Sequence, residues 1–75
     1  MVRKRSRGEL LRELRRRLGH VSQEGLARRV GVSWSTVNRW ENGKGNPSPL
    51  AREKLVALLG EMGLNDRMDE LELSA

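Results

Sequence analysis

The sequence predicts an all-α fold, a compact bundle of four to five short helices, and three observations predict it. Leucine, valine and alanine recur at three- and four-residue spacing in short stretches. Each stretch is opened by a serine and followed by a glycine, the residues that favour helix N-caps and helix ends. Aromatic content is 3%, with two tryptophans and neither phenylalanine nor tyrosine, so the core must come from leucine, valine, alanine and methionine. That set suits packed helices better than a sheet.

The elements follow in order. Residues 1–7, MVRKRSR, read as a flexible basic arm without apolar periodicity. Ser6 and Glu9 have capping-box spacing and open a first helix whose apolar stripe is Leu10, Leu11, Leu14 and Leu18. Gly19 ends it. Ser22 caps a second helix with Leu26, Ala27 and Val30 on its buried face, and Gly31 closes it. A third helix, Ser33 to Asn42, is under way almost at once. Two helices joined by so short a turn must cross steeply, which is the helix-turn-helix unit. GKGNPS is a loop, marked by its glycines and Asn-Pro. Ser48 and Pro49 start a fourth helix with Leu50, Leu55, Leu58, Leu59 and Met62 as its stripe, and Gly63 ends it. Residues 8–63 thus form the body, and 64–75 an acidic tail. The tail either holds a short helix capped by Asn65, with Met68 and Leu71 inward, or frays.

Charge narrows the function. The 75 residues carry a formal +5, unevenly spread. Residues 1–44 hold twelve Lys/Arg against four Asp/Glu, a net of +8, and residues 45–75 hold three against six, a net of −3. One part of the molecule is a surface for a polyanion. There is no cysteine and a single histidine, His20, so no disulfide or metal-ligand set is expected. No glycine-rich phosphate loop stands in the right context, and a chain this short has little room for a deep substrate pocket. An enzyme, a cofactor and catalytic residues are therefore not expected. No apolar run is long enough to span a bilayer, and the expected location is cytoplasmic, associated with the nucleoid.

On a helical wheel the third helix has two faces. Thr36, Val37 and Trp40 cluster on one. Trp34, Ser35, Asn38, Arg39 and Asn42 lie on the other or at its edges. Arginine can chelate guanine, asparagine can pair with adenine, and serine lets a helix sit deep in a groove.

The run SQEGLARRVGVSWSTVNRWENGK resembles the helix-turn-helix of the lambda repressor-like family, the Cro/C1 or XRE type of prokaryotic and phage DNA-binding proteins. The resemblance covers residues 8–62. It rests on Gln23, Leu26-Ala27, Gly31, Ser33, Thr36, Val37, Trp40-Glu41-Asn42-Gly43 and Pro47 in register. It implies a regulator of transcription, typically a repressor, that binds double-stranded DNA as a homodimer on an inverted repeat. Trp34, Ser35, Asn38 and Arg39 match positions that face bases. Gln23, Ser33, Asn42 and Lys44 match positions at the phosphate backbone. Glu41 is expected in a structural ion pair with Arg15. Arg16 is the alternative, because the connection GHV is one residue longer than usual. Trp34 either touches DNA or packs back on the domain. Gly25 replaces a longer side chain.

Three further expectations remain. Arg3, Lys4, Arg5 and Arg7 either enter a minor groove or track the backbone, or form a solvated arm. Met68, Leu71 and Leu73 are the candidate dimer element. A toxin partner for the acidic tail is the alternative function, since antitoxins use this fold.

Overall fold

Four serines set the start of four helices. In the computed structural model, which describes residues 6–72, Ser6 precedes α1 (Arg7–Arg17), Ser22 precedes α2 (Gln23–Val30), Ser33 precedes α3 (Trp34–Glu41) and Ser48 precedes α4 (Pro49–Glu61). Each hydroxyl accepts from the amide three residues on, at 3.0–3.3 Å. Each such bond satisfies one of the helix's otherwise unpaired first amides and contributes about 1 kcal/mol. A 3₁₀ helix, Asn65–Glu72, completes the described chain.

The α2–α3 turn depends on Gly31, whose φ of 83° lies in the left-handed region. Its amide and that of Val32 both bond to Ala27 O, at 2.8 and 3.0 Å, so the chain reverses within three residues. This brings α3 against both α2 and α1. Leu10, Leu11 and Leu14 of α1, Leu26 and Val30 of α2, Val37 and Trp40 of α3, and Leu55 and Leu59 of α4 fill the shared core.

Three expectations change. The arm–body boundary moves, because the Ser6–Glu9 capping box makes Arg7 the first residue of α1, where its side chain turns inward and is fully buried. Arg3, Lys4 and Arg5 lie outside the described residues. Leu50 is 64% exposed, not part of the α4 stripe. At about 100° per residue it stands some 140° around the helix from Leu55, and the buried line is Ala51, Leu55 and Leu59. Finally, Leu64 and Leu71 are each 1% exposed and belong to the core, so Leu71 has no free surface to offer a second subunit. Leu73 lies outside the described residues. Eight residues of 3₁₀ helix is a long run for that geometry, and tertiary contacts hold it. Leu71 packs inward, while Arg67 and Glu70 form a paired fork at 3.0–3.2 Å. No helix among the described residues is long and apolar enough to cross a membrane.

Candidate nucleic-acid interface

The two faces of α3 separate cleanly. Val37 is fully buried and Trp40 nearly so, anchoring one face in the core. On the other, Trp34 is 51% exposed, Ser35 and Arg39 are exposed, and Asn38 is half-buried. Trp34 therefore keeps about half of its surface in solvent. Asn38 and Asn42 are linked along the helix: Asn42 Nδ2 donates to Asn38 O at 2.9 Å.

The expected backbone-contacting residues divide between the ends of α3. Ser33 is at its start, where the hydroxyl caps the helix and also bonds Thr36 Oγ1 at 2.9 Å. Asn42 and Lys44 are exposed at its far end, about 13 Å away at 1.5 Å per residue. Gln23, at the start of α2, joins the far end. Its Nε2 donates to Glu41 Oε1 at 3.0 Å.

Glu41 is the meeting point there. It is 2% exposed, and Arg15 grips it with both arms of its fork, Nε to Oε2 at 2.8 Å and Nη2 to Oε1 at 3.0 Å. Arg15 is thus the partner, while Arg16 bonds Glu13 at 2.7 Å on the outer face of α1. Arg15 Nη1 also reaches Val21 O at 3.3 Å, which ties the α1–α2 connection into the same cluster. Arg12, which the sequence does not single out, donates to Glu41 O at 3.2 Å and approaches the carboxylate at 3.7 Å. Arg12, Arg15, Arg16, His20 and Val21 line a cationic cleft of about 270 Å³ beside this cluster.

Behind the loop that follows α3 lies Arg7. Its Nε donates to Trp40 O at 3.3 Å, Nη2 to Gly45 O at 2.6 Å, and Nη1 to Asn46 Oδ1 at 3.0 Å and Leu71 O at 3.4 Å. All four acceptors are neutral. Burial pushes the guanidinium down from its ordinary value, and nearby Glu72 acts in the opposite sense. In front of the loop, Thr36, Arg39, Trp40, Lys44, Gly45 and Asn46 line an open cleft of about 160 Å³. The sequence signals for Arg7 and Asn46 are weak: one looks like part of a basic run, the other like an ordinary Asn-Pro turn.

No group of acidic, histidine or cysteine side chains among the described residues could hold a metal ion. A profile described as a helix-turn-helix domain matches residues 8–70. The chain is 39% identical over 57 residues to an uncharacterized HTH-type transcriptional regulator of Methanothermobacter thermautotrophicus, across 76% of this chain and 81% of that relative. No solved structure matches it.

Proposed function

The chain belongs to the helix-turn-helix domain family of the lambda repressor-like, Cro/C1 type, and from that premise we propose that it is a sequence-specific regulator of transcription, of prokaryotic or phage type, that lays α3 in the major groove of double-stranded DNA. The observation that carries this reading is the solvent-facing side of α3, with Trp34, Ser35, Asn38 and Arg39 projecting from a helix whose opposite side is sealed by Val37 and Trp40. A major groove about 12 Å wide admits one such helix.

Phosphate contacts then set register. Gln23, Asn42 and Lys44 meet the backbone at one end of α3 and Ser33 meets it at the other, while base contacts by the exposed face set specificity. Arg39 is a base-contacting residue, chelating guanine from the rim of the cleft between α3 and its loop. Arg3, Lys4 and Arg5 extend the contact along a groove or the backbone. The chain binds as a homodimer, so its site is an inverted repeat with half-sites about one helical turn apart. Of the four acidic residues of the 3₁₀ helix, Glu70 pairs within the chain with Arg67, and Glu72 with Arg52 at 2.7 Å. No observation favours a toxin partner over this reading.

Selection from random duplexes followed by sequencing tests it. The expected result is an enriched motif with two-fold symmetry. On the selected site, Arg39→Ala should cost about 1–3 kcal/mol of binding and relax preference at one base pair. An equal loss on every duplex would make Arg39 a phosphate contact. Failure to enrich any motif at low salt would overturn sequence-specific binding.

A further inference from the structure

We propose that Arg7 is a positioning residue for DNA binding: without touching the duplex, it holds the loop after α3 in the shape that offers Lys44 and Asn46 to a phosphate. The proposal rests on the reading of that loop as a backbone-facing element. It adds a residue that no family signature in this sequence marks, and it assigns Asn46 a contact.

The geometry supports it in three steps. First, Arg7 gathers acceptors that are distant in sequence. One guanidinium binds the carbonyl of Trp40 near the end of α3, the carbonyl of Gly45 and the side chain of Asn46 in the loop, and the carbonyl of Leu71 in the 3₁₀ helix. A planar fork with five donors can hold four such groups in fixed directions, which a lysine ammonium cannot.

Second, the loop needs an external tie. It contains no regular structure of its own between the turn after α3 and Ser48, and Gly45 adopts a φ of 68°. Glycine loses more backbone freedom on ordering than any other residue, so an untied loop here would sample many shapes. Lys44 N to Arg39 O at 2.8 Å fixes the entry, and Arg7 fixes the exit.

Third, the tie decides which way the donors point. In a trans peptide the C=O and N–H lie on opposite sides. Gly45 C=O is turned in to Arg7, so the N–H of Asn46 is turned out, away from the guanidinium. The side chain of Asn46 can meet Arg7 only through its oxygen, since arginine has no acceptor. Its NH₂ is therefore left for another acceptor. Asn46 and Lys44 border the cleft that Arg39 closes on the α3 side; Arg39 Nη2 would be 3.5 Å from a Cβ on Gly45. A phosphate seated there would meet the Lys44 cation and two neutral donors. All four of Arg7's acceptors are neutral, and nearby Glu72 offsets part of its positive charge.

The test is a coupling experiment on a fixed non-cognate duplex, with affinity measured across a salt series at a temperature where amide spectra show each variant folded. Lys44→Ala in the parent should lower the slope of log affinity against log salt by about 0.9. Arg7→Lys should weaken binding about tenfold and lower the slope by about as much, although its charge is retained. Lys44→Ala added to Arg7→Lys should then have little further effect. Equal effects of Lys44→Ala in both backgrounds would overturn the proposal, because a merely structural Arg7 would leave them additive. If Arg7→Lys does not fold, relaxation measurements on the parent decide. Lys44–Asn46 amides as ordered as α3, at about 0.85, support the tie, and values below about 0.6 overturn it. A parent that binds no duplex at low salt would refute the DNA reading itself and take the loop's role with it, which is a different result from additivity.

Discussion

α1 buries two opposite charges against α3 and its loop in different ways. At Glu41 a carboxylate is met by the arginine fork of Arg15 and the amide of Gln23. At Arg7 a guanidinium is met only by neutral oxygens. The first arrangement cancels charge. Arg15 is spent on Glu41 in part, and the cluster stays cationic only because Arg12 stands beside it, half exposed. The second arrangement leaves its charge in place and distributes it over peptide dipoles. The lesson is one of task. Glu41 fixes the relation of three helices, using an ion pair whose bidentate geometry sets distance and angle. Arg7 fixes a loop that has no helix to lean on, and it does so through neutral acceptors, with Glu72 nearby but not hydrogen-bonded to it.

Gly8 offers the sharpest way to break this comparison, since it lies between the two sites. A Cβ at Gly8 would collide with the backbone oxygen of Glu41, and backbone cannot swing aside as a side chain can. Gly8→Ala should therefore destabilise the fold by about 3 kcal/mol, the upper end for overpacking. A domain of this length has roughly 4–11 kcal/mol of stability in all, so the loss would be plain in chemical denaturation. An unchanged midpoint would mean that α1 can slide on α3 and that neither buried charge sets their spacing.

Glu41→Ala should cost less, about 2 kcal/mol. Breaking a buried pair costs about 3–5 kcal/mol when the surviving charge stays trapped. Arg15 retains 22% of its side-chain exposure and can turn to water, which lowers that figure. Denaturation midpoints of Glu41→Ala, Arg15→Ala and the double variant measure the coupling between them. A double variant equal to the sum of the singles would show that Arg15 and Glu41 act independently.

The difference between the sites also explains what could be read in advance. The caps at Ser6, Ser22, Ser33 and Ser48 are local: each needs one hydroxyl and an amide three residues on, so sequence alone places them. The two faces of α3 are equally local, being a matter of 100° steps. The Arg15–Glu41 pair is long-range, and only the resemblance to the lambda repressor-like family implies it, with Arg16 as the alternative. Arg7 has no such marker. Three of its acceptors are backbone carbonyls, which every residue carries, and they come from positions 33, 38 and 64 residues away. Nothing in the run RKRSR marks Arg7 for burial. Leu50 and Leu71 show the same limit in apolar form. Helical spacing puts Leu50 inside and leaves Leu71 either inward or free for a partner, whereas the packing of α4 on α2 and the 3₁₀ helix, and of the 3₁₀ helix on α1, decides both.

A third charged cluster on α1 sharpens the comparison with the smallest effect. Glu13 lies between Arg16 and Arg17, bonded to both at 2.7 and 3.0 Å. Those bonds lower its carboxyl from 4.5 to about 2. The sign follows from linkage: the native state holds this proton less tightly than the unfolded chain does. The pair's contribution is therefore complete above about pH 4.5 and disappears as pH falls toward 2. Being an i,i+3 and i,i+4 surface pair, it is screened by salt and should move stability only slightly. Thermal melts of parent and Glu13→Gln should differ most at neutral pH and low salt, and converge near pH 2. A gap between the two melting curves that stays constant from pH 7 to pH 2 would show that Glu13 supports α1 by packing alone, and that only the buried charges of this helix act through electrostatics.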